Sequence, residues 1–243
     1  SGARGPTLGR GAGVRVYPGK VARRAGTATG TEWDDANIGN SSVAMGYFTK
    51  ASGNSSTALG TNTTASGGAS TALGNGTTAS GSSSTALGGN NIASGDYSTA
   101  IGSITVAGGA YSTAMGRNTT ATGVASTAMG FNLTASGDFS TAMGYLVNTN
   151  GQSGAFAIGD LDPNNEGRTF SGTGDQFVAR FWNGYYFLTS GTVTRFGVQI
   201  AHNGNSWVSI CDKNRKENFE ALDGDEILQK LSKINFTSRV VLL

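Results

Sequence analysis

The chain is expected to be all-β, folded as a parallel β-solenoid with fourteen residues in each rung. Three observations predict this. A fourteen-residue register runs unbroken from Ser42 to Gly151, the inner faces of its strands hold only Ser, Ala and Gly, and one apolar residue per rung stands on the opposite face. A repeat of fixed period is the signature of an architecture in which each unit buries its surface against the next.

The first forty residues are basic (Arg4, Arg10, Arg15, Lys20, Arg23, Arg24). Residues 1–32 read as a solvated basic lead, with no signal peptide at the start. Beyond it charge almost disappears: between Ser42 and Gly151 the only charged side chains are Lys50, Asp96, Arg117 and Asp138. A nucleic-acid groove needs clustered Lys and Arg, so no nucleic-acid partner is expected. Glycine is abundant at 39 of 243 residues, yet proline numbers only 3 and no Gly-x-y period exists, which excludes collagen.

Residues 33–160 are assigned to the solenoid. Ser42, Ser56, Ser70, Ser84, Ser98, Ser112, Ser126 and Ser140 each open a unit reading Ser-x-Ala-x-Gly, and five residues after that glycine the chain reads Ala-x-Gly. Alternation along a strand puts i, i+2 and i+4 on one face. Ser56, Ala58 and Gly60 therefore share the coil interior with Ala65 and Gly67, and Ser70, Ala72 and Gly74 repeat the arrangement one rung on. So narrow a lining brings backbones close and requires glycine at the bends. Successive rungs at ~4.8 Å give eight of them a length of roughly 38 Å.

Met45, Leu59, Leu73, Leu87, Ile101, Met115, Met129 and Met143 have the opposite parity and cannot enter the coil. Left in water they would form one apolar stripe, the mark of an interface. A coil lined by Ser, Ala and Gly also buries too little apolar area to offset the ordering of its own backbone. The stripe is therefore expected to meet its copies on other chains. The outer face of the second strand is hydroxyl-rich (Thr64 and Ser66, Thr78 and Ser80) and reads as solvated β surface. Aromatics fall at the corners: Tyr47, Phe48, Tyr97, Tyr111, Phe131, Phe139 and Tyr145. They are candidates for packing between chains or for anchoring a glycan or protein receptor on a host surface.

The unit Ser-x-Ala-x-Gly-x-x-x-x-Ala-x-Gly resembles the head repeat of trimeric autotransporter adhesins, the YadA-like head, over Ser42 to Gly151. The resemblance implies a left-handed β-roll in each chain and a homotrimer sharing one apolar core. Trp33 to Gly39 reads as an opening rung, with Gly39 in register and Asn37 where alanine is expected. At the far end Thr149 replaces alanine, and Ala155 to Gly159 returns one residue late.

Residues 161–210 read as a β-rich neck, with short alternating strands at Asp175–Arg180 and Gly184–Phe187. The loop from Asp160 to Gly167 is acidic, but it lacks the spacing and closing Glu of a calcium loop. No metal or cofactor is expected. His202 is the only histidine and Cys211 the only cysteine, which excludes a histidine-based triad and a disulfide framework. Cys211-Asp212-Lys213-Asn214-Arg215-Lys216 is similar to the start of the intramolecular chaperone that ends endosialidase-type phage tail spikes and many bacterial fibres. That family cleaves itself with a serine and a lysine. Position by position, Cys211 falls at the nucleophile and Lys216 at the base, with cysteine departing from the family's serine. Asp223 and Glu226 form a capping box for a short helix over about 223–234.

The expected function follows as that of a structural or adhesive extracellular fibre rather than a metabolic enzyme, with a receptor-binding tail fibre of a phage or contractile injection system as the alternative. An open solenoid could also stack end to end into a filament. No apolar run reaches membrane-spanning length, so no membrane insertion is expected within this segment.

Overall fold

Short runs of Thr, Ala and Leu between glycines suit a pleated surface and break wherever the backbone must turn. The computed structural model describes residues 11–161, 168–188 and 197–210. Two strands precede the repeats, β1 (Gly11–Tyr17) and β2 (Ala22–Ala28). Each rung then supplies a longer and a shorter strand. These are β3 (Val43–Tyr47) with β4 (Lys50–Ala51), β5 (Thr57–Thr61) with β6 (Thr64–Ala65), and β7 (Thr71–Asn75) with β8 (Thr78–Ala79). The series continues with β9 (Thr85–Gly89) and β10 (Ile92–Ala93), then β11 (Thr99–Ser103) and β12 (Val106–Ala107). In the next two rungs the pair fuses into β13 (Thr113–Ala121) and β14 (Thr127–Ala135), followed by β15 (Thr141–Tyr145) and β16 (Val147–Asn148). The last rungs are β17 (Phe156–Gly159) with β18 (Thr169–Phe170), and β19 (Phe177–Arg180).

All pairings from β2 to β19 are parallel, and within the repeats they keep the predicted register, for example Ala58↔Ala72, Leu59↔Leu73 and Gly60↔Gly74. The fold is the all-β parallel solenoid with fourteen-residue rungs read from the sequence. The register slips by one where expected: Met143 pairs with Ile158 and Gly144 with Gly159. Two glycine columns let the rungs close. Gly60 has φ 124, and a Cβ there would sit 2.0 Å from the carbonyl oxygen of Gly74. At Gly67 a Cβ would meet the Gly81 carbonyl oxygen at 1.9 Å. Any side chain in these columns pushes the next rung away.

Inside, the alanine column (Ala58, Ala65, Ala72 and their equivalents) is fully buried. Most of the serine hydroxyls turn back on their own corner, Ser56 Oγ donating to the Gly53 carbonyl at 2.7 Å, while those of Ser98 and Ser112 are buried without a partner. A third inward column, taken for part of the corner in the sequence, is Thr49, Thr63, Thr77, Asn91, Thr105, Thr119, Leu133 and Val147, each no more than 1 % exposed. It stands two residues before Ala65 and its equivalents, so it shares their parity. The hydroxyls of Thr63, Thr77 and Thr105 are buried without a hydrogen-bond partner. Asn91 uses the same slot differently. Its Nδ2 donates to the carbonyls of Leu87 (2.7 Å) and Gly102 (2.8 Å), and its Oδ1 accepts from the Thr105 amide at 2.9 Å.

The expected solvated lead is corrected over the described residues. Residues 11–28 form an antiparallel hairpin, Val14 opposite Ala25 and Arg15 opposite Arg24, and β2 continues the parallel ladder into β3 with Gly26 opposite Gly46. Arg24 takes the place of alanine and closes the mouth of the coil, fully buried. Its guanidinium donates to the carbonyls of Arg23 (2.8 Å), Ser42 (3.1 Å) and Ala51 (2.9 Å) and to Ser42 Oγ (2.9 Å). Burial pulls it down from the ordinary arginine range to about 10, against a smaller opposing pull from Tyr17. Trp33, 2 % exposed, lies under the same hairpin with the Arg15 guanidinium 5.3 Å from its ring. In the opening rung Gly39 is in register, its absent Cβ facing the Gly53 carbonyl. Ile38, not Asn37, pairs with Ala51 and fills the interior at 4 % exposure.

At the other end Thr149 is buried and hydrogen-bonded, its Oγ1 accepting from the Ser136 amide at 3.0 Å and lying 3.1 Å from Ser140 Oγ. The ladder runs past residue 160, since β18 pairs with β16 and β19 with β17. Asp160 holds this end, its Oδ2 accepting from the Trp182 amide at 3.0 Å.

From Asn183 the chain forms a second unit. Its described part is an antiparallel sheet of β20 (Gly184–Leu188), β21 (Gly197–Ala201) and β22 (Val208–Ile210), with Phe187 against Trp207 at 5.3 Å. The calcium-like loop beyond Leu161 and the whole segment from Cys211, with Lys216 and the helix expected over about 223–234, lie outside the described residues. Among the described residues no helix is long and apolar enough to cross a membrane.

Candidate functional site

Alternation in the longer strands sends Ala58 into the coil and turns Leu59 out, and the in-register ladder repeats that choice at every rung. Met45, Leu59, Leu73, Leu87, Ile101, Met115, Met129 and Met143 are thus stacked in one straight column. None is buried within the chain: Met45 is 42 %, Leu87 41 % and Met129 36 % exposed. Threonines flank the column on one side (Thr57, Thr71, Thr85, Thr99) and no charge interrupts it from Met45 to Met143. Covering the exposed part of such a side chain, about two fifths at Met45 and Leu87, is worth up to about 1 kcal/mol, from the 1.5–3 kcal/mol for full burial. Eight in a row make a strong association face without a single polar anchor.

The predicted corner aromatics divide between two edges of the coil. One edge follows the glycine column of the longer strands. It carries Tyr47 and Phe48, with ring centroids 3.9 Å apart, and a three-rung ladder of Arg117, Phe131 and Tyr145. There the Arg117 guanidinium lies 5.5 Å from the Phe131 ring, which stacks on Tyr145 at 5.3 Å and 7°. Asn118 and Asn132 occupy the next position on this edge with φ near 55, and the amide of Asn118 donates to Asn132 Oδ1.

The other edge carries Tyr97, Tyr111 and Phe139. Tyr97 and Tyr111 stack at 5.1 Å and 3°, while Ala125 separates them from Phe139. All three aromatics sit at φ between 56 and 60, a left-handed turn position that bulky residues seldom occupy. Asp96 and Asp138 fasten these turns to the preceding rung, each Oδ1 accepting a backbone amide at 2.8 Å, from Ser82 and from Val124. Aromatic stacking of this kind is legible only with the register in hand, because the partners lie fourteen residues apart.

The residues that build this tiny interior, its glycine contacts and the outward apolar column match a known repeat in sequence. The family model described as YadA head domain repeat (2 copies) matches residues 38–63, 51–77, 65–91, 79–103, 107–132 and 121–146. The middle of the solenoid, residues 38–103 and 107–146, is similar to YadA head repeats. No curated protein sequence matches the chain. The stripe from Met45 to Met143 lies within the YadA-repeat region, as do both aromatic edges. Outside it stand the β1–β2 hairpin, the rungs from β17 to β19, and the antiparallel unit from Asn183.

Proposed function

We propose that three copies of this chain join through the Met/Leu/Ile stripe to make a stiff extracellular fibre of the bacterial surface that works by attachment. The observation that carries the reading is the stripe itself. It is an unbroken, uncharged apolar column on one face, built on repeats of an adhesin-head family. Its role is mechanical and multivalent rather than catalytic. Weak contacts at the corners of each rung, aromatic ladders among them, add as avidity when several chains present them together.

The test is the solution mass of the chain by light scattering, at micromolar concentration, beside a Leu73→Asp variant. The expected mass is three times the 24.6 kDa of one chain, and the variant should fall toward one. A wild type of one chain mass would overturn the reading. Electron microscopy of the same sample separates discrete particles from end-to-end filaments, and a different closed number would correct the stoichiometry alone.

A further inference from the structure

We infer that the β1–β2 hairpin, outside the matched repeats, is part of the association face and docks against the hairpins of other copies of this chain. The inference rests on the assembly proposed above and extends it in a direction the repeat does not dictate.

The register carries the argument. Ala25 pairs with Met45, the first residue of the stripe, and Val14 pairs with Ala25. Cross-strand partners point to the same side of a sheet. Arg24 points into the coil, so Ala25 points out with Met45, and Val14 points out with it. The hairpin's other face is accounted for within the chain: Arg15 lies over the Trp33 ring and the Tyr17 hydroxyl donates to the Trp33 carbonyl at 3.3 Å. Val14 and Val16, by contrast, are 81 % and 63 % exposed, and Val14 is more exposed than any residue of the stripe proper.

Two neighbouring valines on the strand that edges the sheet among the described residues are an aggregation hazard unless something covers them. A second copy of this chain is the fitting occupant, because Val14 continues the column of the stripe that copy presents and Val16 the column beside it. At ~4.8 Å per strand the hairpin lengthens the face by about 10 Å beyond Met45. The only cation on the outward face of β2 between its ends is Arg23, in the neighbouring row between Val16 and Val43. From that flank its long side chain can reach water past a seam. The opposite end behaves alike, with Ile158 following Met143 and Ala179 following Ile158.

Single cysteines placed in a Cys211→Ser background test this by oxidative cross-linking of the full chain at low micromolar concentration. Val14→Cys should cross-link between chains as efficiently as Leu73→Cys, while Ser66→Cys, exposed on the outer face of the second strand, should not. Cross-links at position 73 without any at 14 would overturn the hairpin's role and leave the assembly standing. No cross-link at either position, with a wild type of one chain mass, would overturn both. Equal cross-linking at position 66 would show random collision and would also count against the proposal.

Discussion

Gly88 and Gly89 are neighbours in β9, and the rung treats them very differently. Gly88 has φ 120, and a Cβ on it would lie 2.1 Å from the Gly102 carbonyl oxygen and 3.1 Å from Asn91 Nδ2. Gly89 has an ordinary φ, and its Cβ would meet nothing nearer than Ser103 Oγ at 4.0 Å. Replacing Gly88 by alanine forces a side chain into a region of backbone space that costs about 1–3 kcal/mol. It also drives the next rung off by more than 1 Å, since real Cβ contacts rarely fall below 3.4 Å, which weakens two or three inter-rung hydrogen bonds of about 1 kcal/mol each. Gly88→Ala should therefore cost about 3–5 kcal/mol, a fall in Tm on the order of 10 °C for a domain of this size. Gly89→Ala should be neutral or gain about 0.5 kcal/mol, because alanine restricts the unfolded chain. Thermal unfolding followed by far-ultraviolet circular dichroism compares the two. Equal Tm values for the two variants would refute the claim that rung-to-rung carbonyl contact, rather than glycine's flexibility in general, sets these positions.

Two further predictions concern the interior. Thr77 buries a hydroxyl without a partner, whereas the Thr149 hydroxyl is bonded. Thr77→Val should raise stability by about 1 kcal/mol and Thr149→Val should lower it by about 1–2 kcal/mol in urea unfolding; the same sign for both would contradict the assignment. Arg24, held at about 10 in the folded chain and well above that when free, binds fewer protons folded than unfolded once pH passes 10. Its burial penalty is thus full below pH 10 and relieved as pH climbs above it. Wild type should gain about 1 kcal/mol on an Arg24→Met variant between pH 9 and pH 11, and a gap that stays constant would argue against the shift.

The repeated part of the fold was legible because period two inside period fourteen leaves each residue one place to go. Ala58, Leu59 and Gly60 could be assigned to interior, stripe and bend from spacing alone. The Thr63 column was missed through the same rule applied too late in the unit: counting began at Ala65, and the residue two places before it was left in the corner. The hairpin was hidden for a different reason. Ala22-Arg23-Arg24-Ala25-Gly26 follows the pattern of Ser42 to Gly46, but it stands twenty residues upstream instead of fourteen, with arginine in the alanine slot. An arginine inside an alanine-lined coil is acceptable only at its mouth, where open carbonyls wait for donors, and no composition rule anticipates that. The corner aromatics were found but not their division between two edges, which needs the turn geometry.

The glycine contacts also give the molecule a ruler. Because Gly60 faces Gly74 as Gly74 faces Gly88, any rung can follow any other, and the joint does not record which one it was. Removing or duplicating fourteen residues within the run would change the length of the solenoid by one step of ~4.8 Å while leaving the kind of glycine joint between rungs the same. Gene segments of near-identical sequence exchange readily, so length in such a protein can drift in whole steps without passing through a misfolded intermediate form. Solenoid length is then a trait that selection can adjust independently of the residues at the corners.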